Sequence, residues 1–162
     1  MALVDYFLKI DGAPGESKDS KHPDEIQVLS FSWGESQSGT MAFGGGGGAG
    51  KVQMQDFHFM MNVNKASPKL FLKCANGEHI PKAILTARKA GKDQQDYLKV
   101  VFYDLLVSSF QTSGTATSDG LPLDACSLNF AKIEIEYKMQ NVDGSLGSAT
   151  KAVYDLKQGK GS

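Results

Sequence analysis

Apolar residues recur at every second position through several separate stretches of this chain. That alternation restricts it to a fold built mainly of strands, because successive side chains of a strand point to opposite faces. In Val4–Ile10, Val4, Tyr6, Leu8 and Ile10 share one face. Over residues 26–33, Leu29, Phe31 and Trp33 share one face, and Ser30 and Ser32 share the other with Val28. Over residues 53–63, Phe57, Phe59, Met61 and Val63 alternate with Asp56, His58, Met60 and Asn62. Residues 84–88 and 97–110 continue the pattern, and Leu98 to Val107 is apolar on nearly both faces. A strand of that kind is expected to meet the core on one side and something else, such as a neighbouring subunit, on the other. Over residues 128–139 the apolar phase slips by one near Ala131 and Lys132, which predicts a bulge or a change of packing environment.

One helix is expected. Ser67 reads as its N-cap, Pro68 as its first residue, and Asn76-Gly77 as its stop. At about two turns it must draw its stability from tertiary packing. Many strands and one short helix predict a mainly β fold. The expected form is a β-barrel of two packed antiparallel sheets, with the helix on one side and a long extended glycine-rich loop. The 162 residues are expected to form one domain, 1–162.

The charge balance excludes some partners. Lys and Arg number 17, Asp and Glu 18, and the net charge is -1. A polyanion partner such as DNA normally leaves a basic excess, so no nucleic acid is expected. The opening MALVDYFLKI lacks a basic n-region and carries Asp5 and Lys9. It does not read as a signal peptide, and no membrane span is expected, so the chain is placed in the cytoplasm at first. Cys74 and Cys126 read as two buried thiols, with a disulfide the less favoured alternative.

Residues 34–50, GESQSGTMAFGGGGGAG, are the most unusual stretch. Five successive glycines lose more backbone entropy on ordering than any other run, so they hold no fixed shape alone. An out-and-back excursion of this length reaches roughly 25 Å. Met41 and Phe43 near its tip gain nothing in water, whereas against a partner each contributes on the order of 1.5–3 kcal/mol. The stretch reads either as an arm that orders on a neighbour or as a flexible linker.

Residues 45–51, GGGGAGK, match the first seven positions of the phosphate-binding pattern G-x-x-x-x-G-K-[ST]. Val52 stands where a hydroxyl is needed, and the residues that follow read as a strand rather than the helix whose amides would meet a phosphate. His22, His58 and His79 belong to no complete zinc set, and no G-x-S-x-G elbow occurs. No catalytic residue, metal or cofactor is therefore expected. The charged stretch 15–25, GESKDSKHPDE, reads as a solvated loop. Residues 88–92, RKAGK, read as a turn or as one side of a charged subunit contact.

The ordered pieces GESKD (15–19), SWG with SQSG (32–34 and 36–39), GGGGGAGKV (44–52), SP (67–68), RKAG (88–91), LVSS (106–109) and LNFA (128–131) span nearly the whole chain before about Asn141. In this order they resemble the haemolysin-coregulated protein (Hcp) family, the inner-tube proteins of bacterial type VI secretion. The resemblance implies a structural tube subunit, not an enzyme, that forms hexameric rings. The rings stack into a hollow tube inside a contractile sheath, on a baseplate and below a spike protein, and the lumen carries or protects effector proteins. It also implies export in one step without a signal peptide. On this reading Gln37, Ser38, Met41, Phe43, Gly44, Gly45, Gly46, Gly47, Gly48 and Lys51 serve ring stacking, and Ser30 and Ser32 face the lumen. Two other readings stay open: a monomeric β-barrel that binds a small ligand, and a nucleotide-binding enzyme using GGGGAGK.

Overall fold

The computed structural model describes residues 4–39, 51–89, 94–116 and 120–162. In chain order the strands are β1 (Val4–Ile10), β2 (Ile26–Val28), β3 (Ser30–Ser32), β4 (Glu35–Ser36), β5 (Gln53–Met54) and β6 (Phe57–Asn62). The helix α1 (Ser67–Asn76) follows, and then β7 (Ile80–Lys89), β8 (Asp96–Ser113), β9 (Leu123–Gln140), β10 (Leu146–Asp155) and β11 (Lys160–Gly161). Nine of these strands form one sheet in the order β11-β10-β9-β8-β7-β1-β2, with β6 branching from β9 and carrying β3. β4 and β5 form a separate two-stranded sheet. The two antiparallel sheets and the single helix agree with the sequence-based expectation, but the barrel does not: the large sheet is open. The break lies at Leu29. β2 pairs with β1 through Val28, and β3 pairs with β6 from Ser30, so no continuous ladder closes the sheet on itself. Leu29, expected to face the core, is 53% exposed at this break, and the alternation changes phase across it. Val63 is likewise exposed rather than buried.

The core lies where the alternating faces meet. Phe57, Phe59 and Met61 of β6 are buried against Phe102, Leu105, Leu128 and Leu8, with Leu70 of α1 closing one side. Aromatic rings dominate it. Phe57 lies 4.7 Å from Phe102 and 5.8 Å from Phe59, centroid to centroid, and Phe102 lies 4.9 Å from Phe130. The phase slip over 128–139 is present in the burial. Leu128 and Phe130 are buried, then Ile133. The β8–β9 register is unbroken across this point, since Tyr103 faces Lys132 and Leu105 faces Phe130. The change falls instead at Asp104, whose φ of 51° is rare for a strand residue other than glycine. β8 turns its buried set there from Val100 and Phe102 to Leu105 and Val107, in step with β9. The bulge of this ladder lies further on, between Val107 and Ser109.

α1 starts one residue earlier than expected. Ala66 occupies the N-cap, and Ser67 opens the helix with its hydroxyl accepting from the Asn64 N–H at 3.0 Å and donating to the buried Asp124. Gly77 at φ 60° ends it, as the Asn-Gly pair implied.

The stretch 15–25 is a folded strap, not a solvated loop. Ser17, His22 and Glu25 are buried. Its backbone closes on itself through Gly15 N–H to Asp24 O (2.8 Å) and Ser17 N–H to Glu25 O (3.0 Å). Arg88, which opens the basic stretch near the end of β7, is buried and turned inward. Its Nη2 donates to Asp19 at 2.8 Å and Asp5 at 3.2 Å. The hydrogen bond from Arg88 holds the Asp19 carboxyl well below the usual carboxylate range, and the same contact raises the guanidinium further. The second apolar face of β8 is thus partly covered from within the chain: Val101 is 2% exposed.

Candidate functional site

Two surfaces can carry assembly, and each is built by local pairing. The first is the base of the glycine-rich arm. β4 and β5 pair with Glu35 opposite Met54 and Ser36 opposite Gln53, and the Gln55 N–H donates to Gly34 O at 2.8 Å. This ribbon brings the two ends of the 37–52 excursion together at one point. Trp33 and Met54 pack its foot against the core. Gln37, Ser38 and Lys51 are exposed beyond it. Met41, Phe43, Gly44, Gly45, Gly46, Gly47 and Gly48 lie outside the described residues. So do residues 90–92 of the basic stretch, whereas Arg88 is an internal ion-pair residue.

The second surface is the outward face of β3, β6, β9 and β8. Directly opposed residues of antiparallel ladders share a face. One row runs Ser30, Met60, Ala125 and Gln111, and the next runs Ser32, His58, Ser127 and Ser109. Ser30, Ser32 and His58 are exposed, and together they border a shallow depression of about 390 Å³. Its lining is almost uncharged and mixes Ser30, Ser32, Ser109 and Gln111 with the apolar Phe31, Phe59 and Met60, which suits contact with varied surfaces rather than one tight ligand. At the rim of this face the Asp56 carboxylate accepts from the Ser108 hydroxyl at 2.7 Å and from Asn129 Nδ2 at 2.8 Å. This network was not legible in the sequence, because Asp56 precedes β6 while Ser108 and Asn129 sit on β8 and β9, far along the chain.

The chemistry offered elsewhere is modest. No group of three or more His, Cys, Asp or Glu side chains is arranged to hold a metal among the described residues. Cys74 and Cys126 are free thiols, and burial pushes the Cys126 thiol up to about 12, away from thiolate chemistry. His79 is exposed and paired with Asp104 at 3.0 Å. After Lys51 the chain enters β5 and β6, not a helix, so GGGGAGK lacks the helix N-terminus of a phosphate site. The interior that a ligand-binding barrel leaves open is filled by Phe57, Phe59 and Phe102. No helix among the described residues is long and apolar enough to cross a membrane.

Residues 7–137 match the family described as "Type VI secretion system effector, Hcp". The chain is 45% identical over 157 residues to protein hcp1 of Pseudomonas aeruginosa, covering 96% of each. Among solved structures it is similar to Hcp1 from Salmonella typhimurium, with a TM-score of 0.83 and 36% identity over 99% of this chain and 100% of that one. A type VI secretion system effector from Yersinia pestis superposes with a TM-score of 0.74 and 30% identity, over 93% and 99% of the two chains. These matches over nearly the whole chain place it in the Hcp family: it is a structural, ring-forming tube subunit of the type VI secretion system, exported through that machinery.

Proposed function

We propose that copies of this chain close into hexameric rings, that the rings stack through the 37–52 arm, and that the face bearing Ser30 and Ser32 lines the lumen and holds effector proteins. The observation that carries this reading is the pairing of that face: Ser30, Ser32, His58, Met60, Ser109 and Gln111 are exposed on β3, β6 and β8, with the small Ala125 and Ser127 of β9 between them. An almost uncharged wall of serine and glutamine with the flexible Met60 contacts different cargoes without selecting one. The arm is supported as the stacking element by its ribbon base, which holds an otherwise glycine-rich excursion at one place on the subunit. Gln37, Ser38, Met41, Phe43, the glycines 44–48 and Lys51 supply the contacts on this reading. The spike protein, contractile sheath and baseplate are the remaining partners, and the tube assembles in the cytoplasm before it is expelled.

Light scattering on a sizing column, followed by negative-stain imaging, tests the ring. A mass of six times 17.4 kDa with annular particles is expected. A monomeric mass at all concentrations would refute it. For the lumen, Ser32→Gln is expected to leave ring mass unchanged while altering the retention of co-expressed effectors. Equal retention across a panel of small effectors would remove Ser32 from the lumen wall.

A further inference from the structure

We infer that His22, Glu25 and Asp96 form a proton-dependent latch that fastens the 11–25 strap to the start of β8. The inference begins with a count of donors. His22 Nδ1 lies 2.9 Å from Glu25 Oε2, and Nε2 lies 3.2 Å from both carboxylate oxygens of Asp96. An ionised carboxylate only accepts, and a neutral imidazole has one N–H and one lone pair. A neutral ring therefore serves one of these carboxylates and sets its lone pair against the other. Both contacts are hydrogen bonds only when the cluster holds one proton beyond a neutral imidazole and two carboxylates.

The ring has little freedom to avoid this. His22 is 7% exposed and stacks on Phe7 of β1 at 4.5 Å, with the planes 10° apart. Its backbone N–H is held by Asp19 Oδ1 at 3.2 Å. The other charged or titratable groups around the cluster do not replace the missing proton. From the strap, Lys21 donates to the Gln94 carbonyl at 3.2 Å. Lys9 of β1, Tyr97 and Lys99 of β8, and Glu136 and Lys138 of β9 line the same groove. Arg88 of β7 lies over Phe7 and is committed to Asp5 and Asp19.

The two ties of the latch are unequal. The Glu25 side chain is 11% exposed and its contact is the shorter, whereas the Asp96 side chain is 43% exposed. Loss of the proton leaves the single N–H with Glu25, the carboxylate less able to turn to water, and releases Asp96. The strap then keeps its tie to Arg88 but loses the one to β8, and the groove between strap and sheet opens on that side. A closed state that binds a proton which the open state lacks is favoured as pH falls and lost as pH rises. The Asp19–Arg88 tie has the opposite dependence, so the strap is fully fastened only between the two limits.

The test uses the full chain, with ring-nitrogen NMR and amide exchange of residues 15–25. At about pH 6 both ring nitrogens of His22 are expected to carry protons, with exposed His58 and His79 as internal comparisons. Strap amides, corrected for intrinsic exchange, are expected to exchange about tenfold faster at about pH 9. In Asp96→Asn the amide donates to a neutral ring, so protection persists at high pH and the dependence falls below about twofold. A His22 ring carrying one proton at about pH 6 with the strap fully protected would overturn the latch. So would an Asp96→Asn variant with the same tenfold dependence as the parent chain.

Discussion

Phe57→Ala is expected to lower the stability of the chain by about 3–5 kcal/mol, the largest effect of any single truncation considered for this fold. Phe57 is 0% exposed and touches the rings of Phe31, Phe59 and Phe102, with centroids at 6.0, 5.8 and 4.7 Å. It sits on β6, the strand that joins the β3 branch to β9. The loss has two parts: the transfer of a large apolar side chain, and a cavity whose walls are held by rings on β3, β8 and β6 itself and cannot collapse onto it. Phe57→Leu keeps most of the volume and is expected to recover about half of the loss. Thermal melts at one protein concentration check both variants, since ring assembly makes the midpoint depend on concentration. A fall of only a few degrees in Phe57→Ala would mean that the core relaxes far more than its aromatic packing implies.

Arg88→Met is expected to cost on the order of 3 kcal/mol, and to do so in a pH-dependent way. The Arg88 side chain is 3% exposed, and those of its partners Asp19 and Asp5 are 19% and 35% exposed. Removing the guanidinium, which lies over Phe7, leaves Asp19 partly buried without its cation. The sign follows from linkage. The Asp19 carboxyl is depressed in the folded chain, so its contribution is present above the unfolded value of about 3.9 and is lost as pH falls through the folded one. The gap between parent and variant melting temperatures is therefore expected to be full at about pH 6 and to shrink below about pH 4. Arg88→Lys keeps the charge but not the length and planar shape that carry Nη2 to both carboxylates, and is expected to recover only part of the loss. A gap of constant size from about pH 3 to 7 would assign the effect to lost packing on Phe7 instead.

Both variants probe parts of the molecule that differ in how visible they are in the amino-acid sequence. The β6 core was legible. Phe57, Phe59 and Met61 alternate with polar neighbours, and period two admits one burial pattern, which the structure shows. The helix stop at Gly77 was legible for an equally local reason, since only a residue tolerant of positive φ ends a helix in this way. The position of Ser30 and Ser32 on an exposed face also follows from local alternation, although Leu29 does not oppose them as expected. The family was legible because its motifs recur in order along the chain.

What tertiary structure alone decided is everything that depends on which distant segments meet. The open sheet depends on a one-residue break at Leu29 between two short ladders, and the alternation of Leu29, Phe31 and Trp33 assigns Leu29 to the core as though no break existed. The turn of β8 and β9 at Asp104 and Ala131 requires a left-handed residue inside a strand, which an Asp tolerates but does not announce. The strap is the clearest case. Its residues are charged, and charged residues between strands are ordinarily solvated. Burial became favourable only because Arg88 from β7 and Asp96 from β8 supply the partners that Asp19, His22 and Glu25 require, across 69 to 74 positions of chain. Local pattern thus determined the strands, the helix end and the apolar faces, because those depend on periodicity and backbone sterics. Long-range pairing determined the sheet's edges and the buried charges, because desolvating an ion is tolerable only where its counter-ion is already in place.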